Sequence, residues 1–243
     1  MSAAIVKDFM AIWQQVVVYD KVPSTIVILI DPWALNQNNQ RMAWKSIASL
    51  YRDYLSGDVF QPSSSLPVIQ DFGTQQMQIL PLDQVQPTMQ GKRGDGGYIY
   101  PLSFTRQLTI QELDQRVDEY IQGCVFSMCN WKFDHIVADG LLRLFDDFVN
   151  RKIEVFVVLP PYEKKVLDFF QQTKVYDEAL QEFIRFIEQA VEARKNQKFT
   201  LCNYINPQDV GCQRLEFIDG MHYRKTCLQK ILHQCIDRKK PKT

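Results

Sequence analysis

No pure apolar run in this chain of 243 residues is longer than Ile26–Ile30. A membrane-crossing helix needs about 20 such residues, so no spanning segment is expected. The opening Met1-Ser2-Ala3-Ala4 has neither the basic start nor the apolar core of a secretory leader. As written the chain therefore reads as cytoplasmic, and as periplasmic or membrane-anchored if a longer N-terminus exists. An excess of one charge is lacking too: 28 Lys and Arg balance 28 Asp and Glu, for a formal net charge of zero. That leaves no electrostatic footprint for nucleic acid or an anionic membrane. The basic Arg238–Lys242 run is short and terminal, and reads as a frayed tail. No P-loop or dinucleotide glycine fingerprint is present, so phosphate and nicotinamide chemistry have no warrant and no cofactor is expected. The six cysteines (Cys124, Cys129, Cys202, Cys212, Cys227, Cys235) show no paired CxxC spacing, so no metal site is expected. A chain of this length can build its own core without staples, which predicts mostly free, partly buried thiols.

What is present is the alternation of an α/β protein. Ile5, Phe9, Ile12, Trp13 and Val16 recur at helical spacing behind Ser2 as N-cap. Thr25–Ile30 is a continuous β-branched run, the pattern of a strand buried on both faces, and Asp31-Pro32 ends it. A helix is predicted over 38–55. From Ser56 to Thr109 the periodicity dissolves into a Pro-, Ser- and Gly-rich insertion of the kind that forms lids or mobile segments. Its Arg93-Gly94-Asp95 triplet reads as a turn rather than an adhesion signal. Leu113, Val117, Tyr120 and Ile121 mark one helix, and Ile136 to Val149 another. Ile153–Leu159 is a second buried strand, stopped by Pro160-Pro161-Tyr162. Ala179 to Val191 form a long amphipathic helix, Phe199–Cys202 a third strand, and Cys227, Leu228, Ile231, Leu232 and Cys235 one face of a closing helix. The expectation is a single three-layer α/β/α domain with a parallel, doubly wound, flavodoxin-like sheet.

In such folds ligands sit beyond the carboxyl ends of the strands. Three segments should meet there: Asp31-Pro32-Trp33 through Asn36, Pro160-Pro161-Tyr162, and the loop carrying Asp219 and His222. An Asp and a His three positions apart in a turn can join carboxylate to imidazole. That sets the tautomer and leaves the other ring nitrogen as general base toward a hydroxyl. An Asp capping a turn beside a surface His would carry the same spacing. Asp31, Trp33, Asn36 and Tyr162 are the candidate substrate contacts. His135 behind Asp134 reads as a neighbour of a capping residue, and His233 as a helix-face residue.

The stretch Leu215–Tyr223, with Asp219-Gly220-Met221-His222, resembles the Asp-x-x-His block of the SGNH (GDSL-like) hydrolase superfamily. Val155–Tyr162, Ile28–Trp33 and Arg93–Tyr100 are also similar to segments of its poorly characterised bacterial members. The likeness runs from about residue 25 to 235. It implies His222 as general base, Asp219 as its orienting partner, and hydrolysis or acyl transfer on a small-molecule or carbohydrate ester. The superfamily's Gly-Asp-Ser-like nucleophile turn after the first strand has no counterpart here. Ser24 precedes a strand, Ser46 and Ser49 fall in a predicted helix, Ser63–Ser65 in the insertion, and Ser2 ahead of a helix. The Gly-x-Asn-Asp block, which would fall near Asp31–Asn36, is unmatched, with Asn36 at best a loose candidate. Two N-terminal strands are then expected to be missing. Ile26–Ile30 becomes an uncovered edge through which an oligomer could form, and the chain is expected to be inactive by itself. The alternative expectation is a non-catalytic binding or scaffold protein that uses the same fold.

Overall fold

The computed structural model describes residues 5–18, 20–39, 91–92, 98–99 and 106–237. The helix expected over 38–55 with Trp44, Ser46 and Ser49 therefore lies outside the described residues. So do most of the insertion, including Ser63–Ser65 and Arg93-Gly94-Asp95, the N-cap Ser2 and the basic tail. Within the insertion, β2 (Gly91–Lys92) pairs antiparallel with β3 (Tyr98–Ile99), a regular element where the sequence pattern is irregular.

The protein is mixed α/β, built on a three-stranded parallel sheet. β4 (Glu154–Leu159) takes the centre, with β1 (Thr25–Leu29) on one side and β5 (Phe199–Asn203) on the other. Val27 stands opposite Phe156, and Val157 opposite Leu201. β4 is buried from Val155 to Leu159, as its unbroken apolar run predicts. β1 was expected to be equally buried, but only Ile28 of its five residues is. The reason is position. Among the described residues β1 pairs with β4 alone, which makes it the edge strand of this sheet.

The helices supply the rest of the core. α1 (Val6–Val18) turns Val6, Met10 and Trp13 inward and packs on α3 (His135–Asn150), where the Trp13 Nε1 donates to Asp147 at 2.6 Å. α2 (Ile110–Gln122) starts with a reciprocal Thr109–Glu112 capping box, worth about 1 kcal/mol. It packs on α4 (Lys164–Gln172), which packs on α5 (Lys174–Glu192). α6 (Lys225–Asp237) closes the chain against β4. Among the described residues no helix is long and apolar enough to cross a membrane. Asp134 caps α3 by accepting from the Val137 amide, with the exposed His135 ring beside Phe133. His233 is exposed and pairs with Asp237.

The cysteines overturn the sequence expectation: all six are disulfide-bonded, as Cys124–Cys129, Cys202–Cys235 and Cys212–Cys227. Their Cα atoms lie 5.3, 5.7 and 5.2 Å apart, within the reach of a disulfide. Chain length was the wrong guide. Cys227 and Cys235 stand eight positions apart on the buried face of α6, and that face meets Cys212 and Cys202 on the segments that follow β5 or end it. Closing loops with sequence separations of 5, 15 and 33 contributes about 2, 3 and 4 kcal/mol respectively in the chain-entropy view.

Candidate functional site

The loop between β5 and α6 is folded tightly on itself. Phe217 and Tyr223 form an antiparallel bridge, and the Ile218 amide donates to the His222 carbonyl at 2.8 Å. Inside this turn one oxygen of Asp219, Oδ1, accepts from the Met221 amide at 2.9 Å and from the His222 amide at 2.8 Å. The other, Oδ2, lies 2.8 Å from His222 Nδ1. Asp219 is thus both the cap of its own turn and the partner of the imidazole. With Nδ1 given to the carboxylate, the basic lone pair falls on Nε2. Burial would raise the Asp219 pKa, but the hydrogen bond and charge of His222 and the two amides outweigh it. The carboxylate lies below its ordinary range and is anionic at neutral pH.

Three outside contacts fix the loop. Arg116 on α2 donates to the Ile218 carbonyl at 3.2 Å, and the Glu163 amide donates to the Gly220 carbonyl at 3.0 Å. Gly220 itself sits against α2 and α4. A Cβ there would stand 2.7 Å from Val166 Cγ2 and 2.8 Å from Tyr120 Cγ, so only glycine permits this approach. The Cys212–Cys227 disulfide closes the segment around the whole turn.

Asp31 follows β1, at the same end of the sheet. It stands at the N-cap position of the 3-10 turn Pro32–Leu35, yet its side chain makes no capping bond. Tyr162, following β4, donates its hydroxyl to Asp31 Oδ1 at 3.4 Å. Burial pushes the Asp31 carboxyl up to about 8, against the opposing effects of the Tyr162 hydroxyl and the His222 charge. Around it stand phenols. Tyr162, Tyr120 on α2 and Tyr223 are all held well above their ordinary range, mainly by burial and then by the Asp31 charge. The Tyr120 hydroxyl is buried and hydrogen-bonds to nothing among the described residues. An unmet buried donor costs about 1–3 kcal/mol.

Of the residues singled out from sequence, Asp219, His222, Asp31 and Tyr162 come together at the carboxyl end of the sheet. Trp33 is a buried floor residue, its ring 4.8 Å from Phe126 and 6.4 Å from Tyr162. Asn36 is buried and fully engaged. Its amide donates to the Phe126 and Ser127 carbonyls at 3.1 and 3.0 Å, and its Oδ1 accepts from the Asn38 and Lys132 amides. It braces the loop cross-linked by Cys124–Cys129 and in this conformation offers no donor to a ligand. The described serines are Ser24, which leads into β1 at the end opposite Asp31, and Ser127, in that cross-linked loop.

Sequence reasoning missed Tyr120, which read only as one member of a helical stripe, and Glu163. Glu163 caps α4, accepting from the Lys165 amide at 2.7 Å, and is paired with Arg214 at 2.9 Å while almost fully buried. It also forms one wall of a groove of about 390 Å³ beside the loop, with Gln208, Arg214 and Phe217. Among the described residues no three His, Cys, Asp or Glu side chains gather as a metal site would require. The sequence matches no protein-family model, and neither a curated protein nor a solved structure matches the chain.

Proposed function

We propose that the Asp219–His222 pair is the acid–base centre of an SGNH-like hydrolase or acyl-transfer domain acting on a small-molecule or carbohydrate ester. With no Gly-Asp-Ser-like turn in the sequence the nucleophile is not the superfamily's serine, so activity of this chain, against the inactivity expected above, requires another nucleophile such as water. The observation that carries this reading is the 2.8 Å contact from Asp219 Oδ2 to His222 Nδ1 in a braced turn at the carboxyl end of the parallel strands. There the imidazole can take a proton from an attacking hydroxyl, while Asp219 stabilises the imidazolium that forms. A three-layer, doubly wound arrangement belongs to the same reading. So does an oxidising compartment, periplasmic or extracellular, because three disulfides persist there and not in a reducing cytoplasm.

The test is hydrolysis of p-nitrophenyl acetate by the chain and by its His222→Ala and Asp219→Asn variants. We expect His222→Ala to abolish the activity and Asp219→Asn to lower kcat by roughly 10²–10⁴-fold. Equal rates for the unaltered chain and His222→Ala would sink the reading. They would favour a non-catalytic binding or scaffold role, for which the two amide bonds to Asp219 Oδ1 are reason enough to keep that carboxylate.

A further inference from the structure

The Asp–His pair takes a proton from the nucleophile, and in a triad the same imidazole can pass it on to the leaving oxygen. The same end of the sheet also holds a carboxyl suited to that second transfer. We propose that Asp31 is the general acid of this site, delivering its proton to the leaving oxygen while His222 takes the proton of an attacking water.

The structural roles open to Asp31 are not the ones it fills. A carboxylate at an N-cap position normally accepts from the first turn, and this one does not. A partly buried carboxylate is normally paired with a cation, and among the described residues no Lys or Arg pairs with Asp31. Its neighbours are the Tyr162 hydroxyl on the loop after β4 and, through electrostatic coupling, His222 and Tyr223 on the site loop and Tyr120 on α2. Apart from His222 these are phenols that stay protonated; Tyr162 alone of them donates to the carboxyl, and none carries a positive charge that would pair with a carboxylate. Asp31 is accordingly the neutral acid at pH 7, with its pKa raised to about 8, while Asp219 is the anion. Two carboxyls driven apart in this way mark acid and base roles. The buried Tyr120 hydroxyl is a second, independent pointer. It couples electrostatically to Asp31 and to Asp219, and it has no partner among the described residues. Such an unmet donor, coupled to both carboxyls, suits an oxygen on which negative charge develops.

The step balances. Water adds to the ester carbonyl as His222 Nε2 takes its proton. The carbon–oxygen bond to the alcohol breaks as the Asp31 proton passes to that oxygen. The imidazolium then returns a proton to the Asp31 carboxylate, leaving one acid, one alcohol and the starting enzyme. No acyl-enzyme forms, so this route requires no serine.

The inference rests on the hydrolase reading, and one set of assays separates the two. Rates are measured on p-nitrophenyl acetate, whose leaving group departs without protonation, and on ethyl acetate, whose leaving group does not. Asp31→Asn should lower the ethyl-to-nitrophenyl ratio of kcat/KM by roughly 10²-fold or more, the usual contribution of a general acid. The rate on ethyl acetate by the unaltered chain should fall as pH rises through about 8, and Asp31→Asn should lack that limb. Tyr162→Phe removes a hydrogen bond that favours ionised Asp31, so it should move the limb to higher pH. An unchanged ratio in Asp31→Asn, with the limb still present, would overturn the acid role and leave the Asp–His reading standing. Activity that survives His222→Ala, or no hydrolysis of either ester, would remove both.

Discussion

The loop carrying His222 is clamped by a disulfide, by its own Asp219 and by contacts to α2 and α4, whereas Asp31 follows an edge strand and its side chain has one long hydrogen bond among the described residues. The two sides of the site show two ways of preparing a side chain for chemistry. On the first side, covalent and hydrogen-bonded constraint fixes an imidazole in position and tautomer. On the second, the surroundings set a protonation state: apolar packing and phenols keep a carboxyl neutral without tying it down. A base that must point at a proton needs geometry, while an acid that must lose its proton gains from a short list of partners.

The comparison breaks most readily at the clamp. Replacing both Cys212 and Cys227 by Ser should cost about 3 kcal/mol, or roughly 6–12 °C in Tm, read by thermal unfolding under non-reducing conditions. A loss below about 1 kcal/mol would mean that packing, and not the cross-link, holds the loop.

On the other side Asp31→Asn should stabilise, and its pH dependence sharpens the contrast. The carboxyl pKa is raised from 3.8 to about 8 in the folded protein. Burying the charge therefore costs nothing below pH 4, costs progressively more as pH rises to about 8, and is constant above that. The stability gap between Asp31→Asn and the unaltered chain should widen over that window to roughly 2–3 kcal/mol, less than the full shift implies because Asp31 is only partly buried. A gap independent of pH would show that Asp31 is ionised in the folded state at all these values.

The smallest effect is expected at Gly220. Gly220→Ala forces a methyl onto the Tyr120 ring and Val166, for about 1–2 kcal/mol. It should also shift the His222 ring resonances in an NMR spectrum. Unshifted resonances would show that the Asp219–His222 pair keeps its position when α2 and α4 move away.

Much of this was legible from the chain alone. The strands β4 and β5 and the helices α2, α3 and α5 announce themselves through β-branched runs and apolar stripes. α4 escaped notice although Val166, Leu167 and Phe170 carry the spacing, because the helix is only nine residues long and follows two prolines. The edge status of β1 was foreseen, but its partial exposure was not, since an apolar run looks the same in a central strand and at an edge.

The sequence by itself confined Asp219 and His222 to one turn, three positions apart across Gly220 and Met221, without choosing between a carboxylate–imidazole contact and a mere turn cap. The carboxyl end of the sheet was likewise readable as the meeting place of three segments. The tertiary structure decided what those segments meet. Six cysteines allow many pairings, and only the packing of α6 against β4 and the loop after β5 selects three. Asn36 looks like a ligand-binding amide until the cross-linked loop beneath it takes all its bonds. Asp31 looks like a strand-ending cap until Tyr162 donates to it and its charge is felt by Tyr120 and Tyr223. Each of these depends on groups tens of residues away, and their distances and burial exist only once the chain has folded.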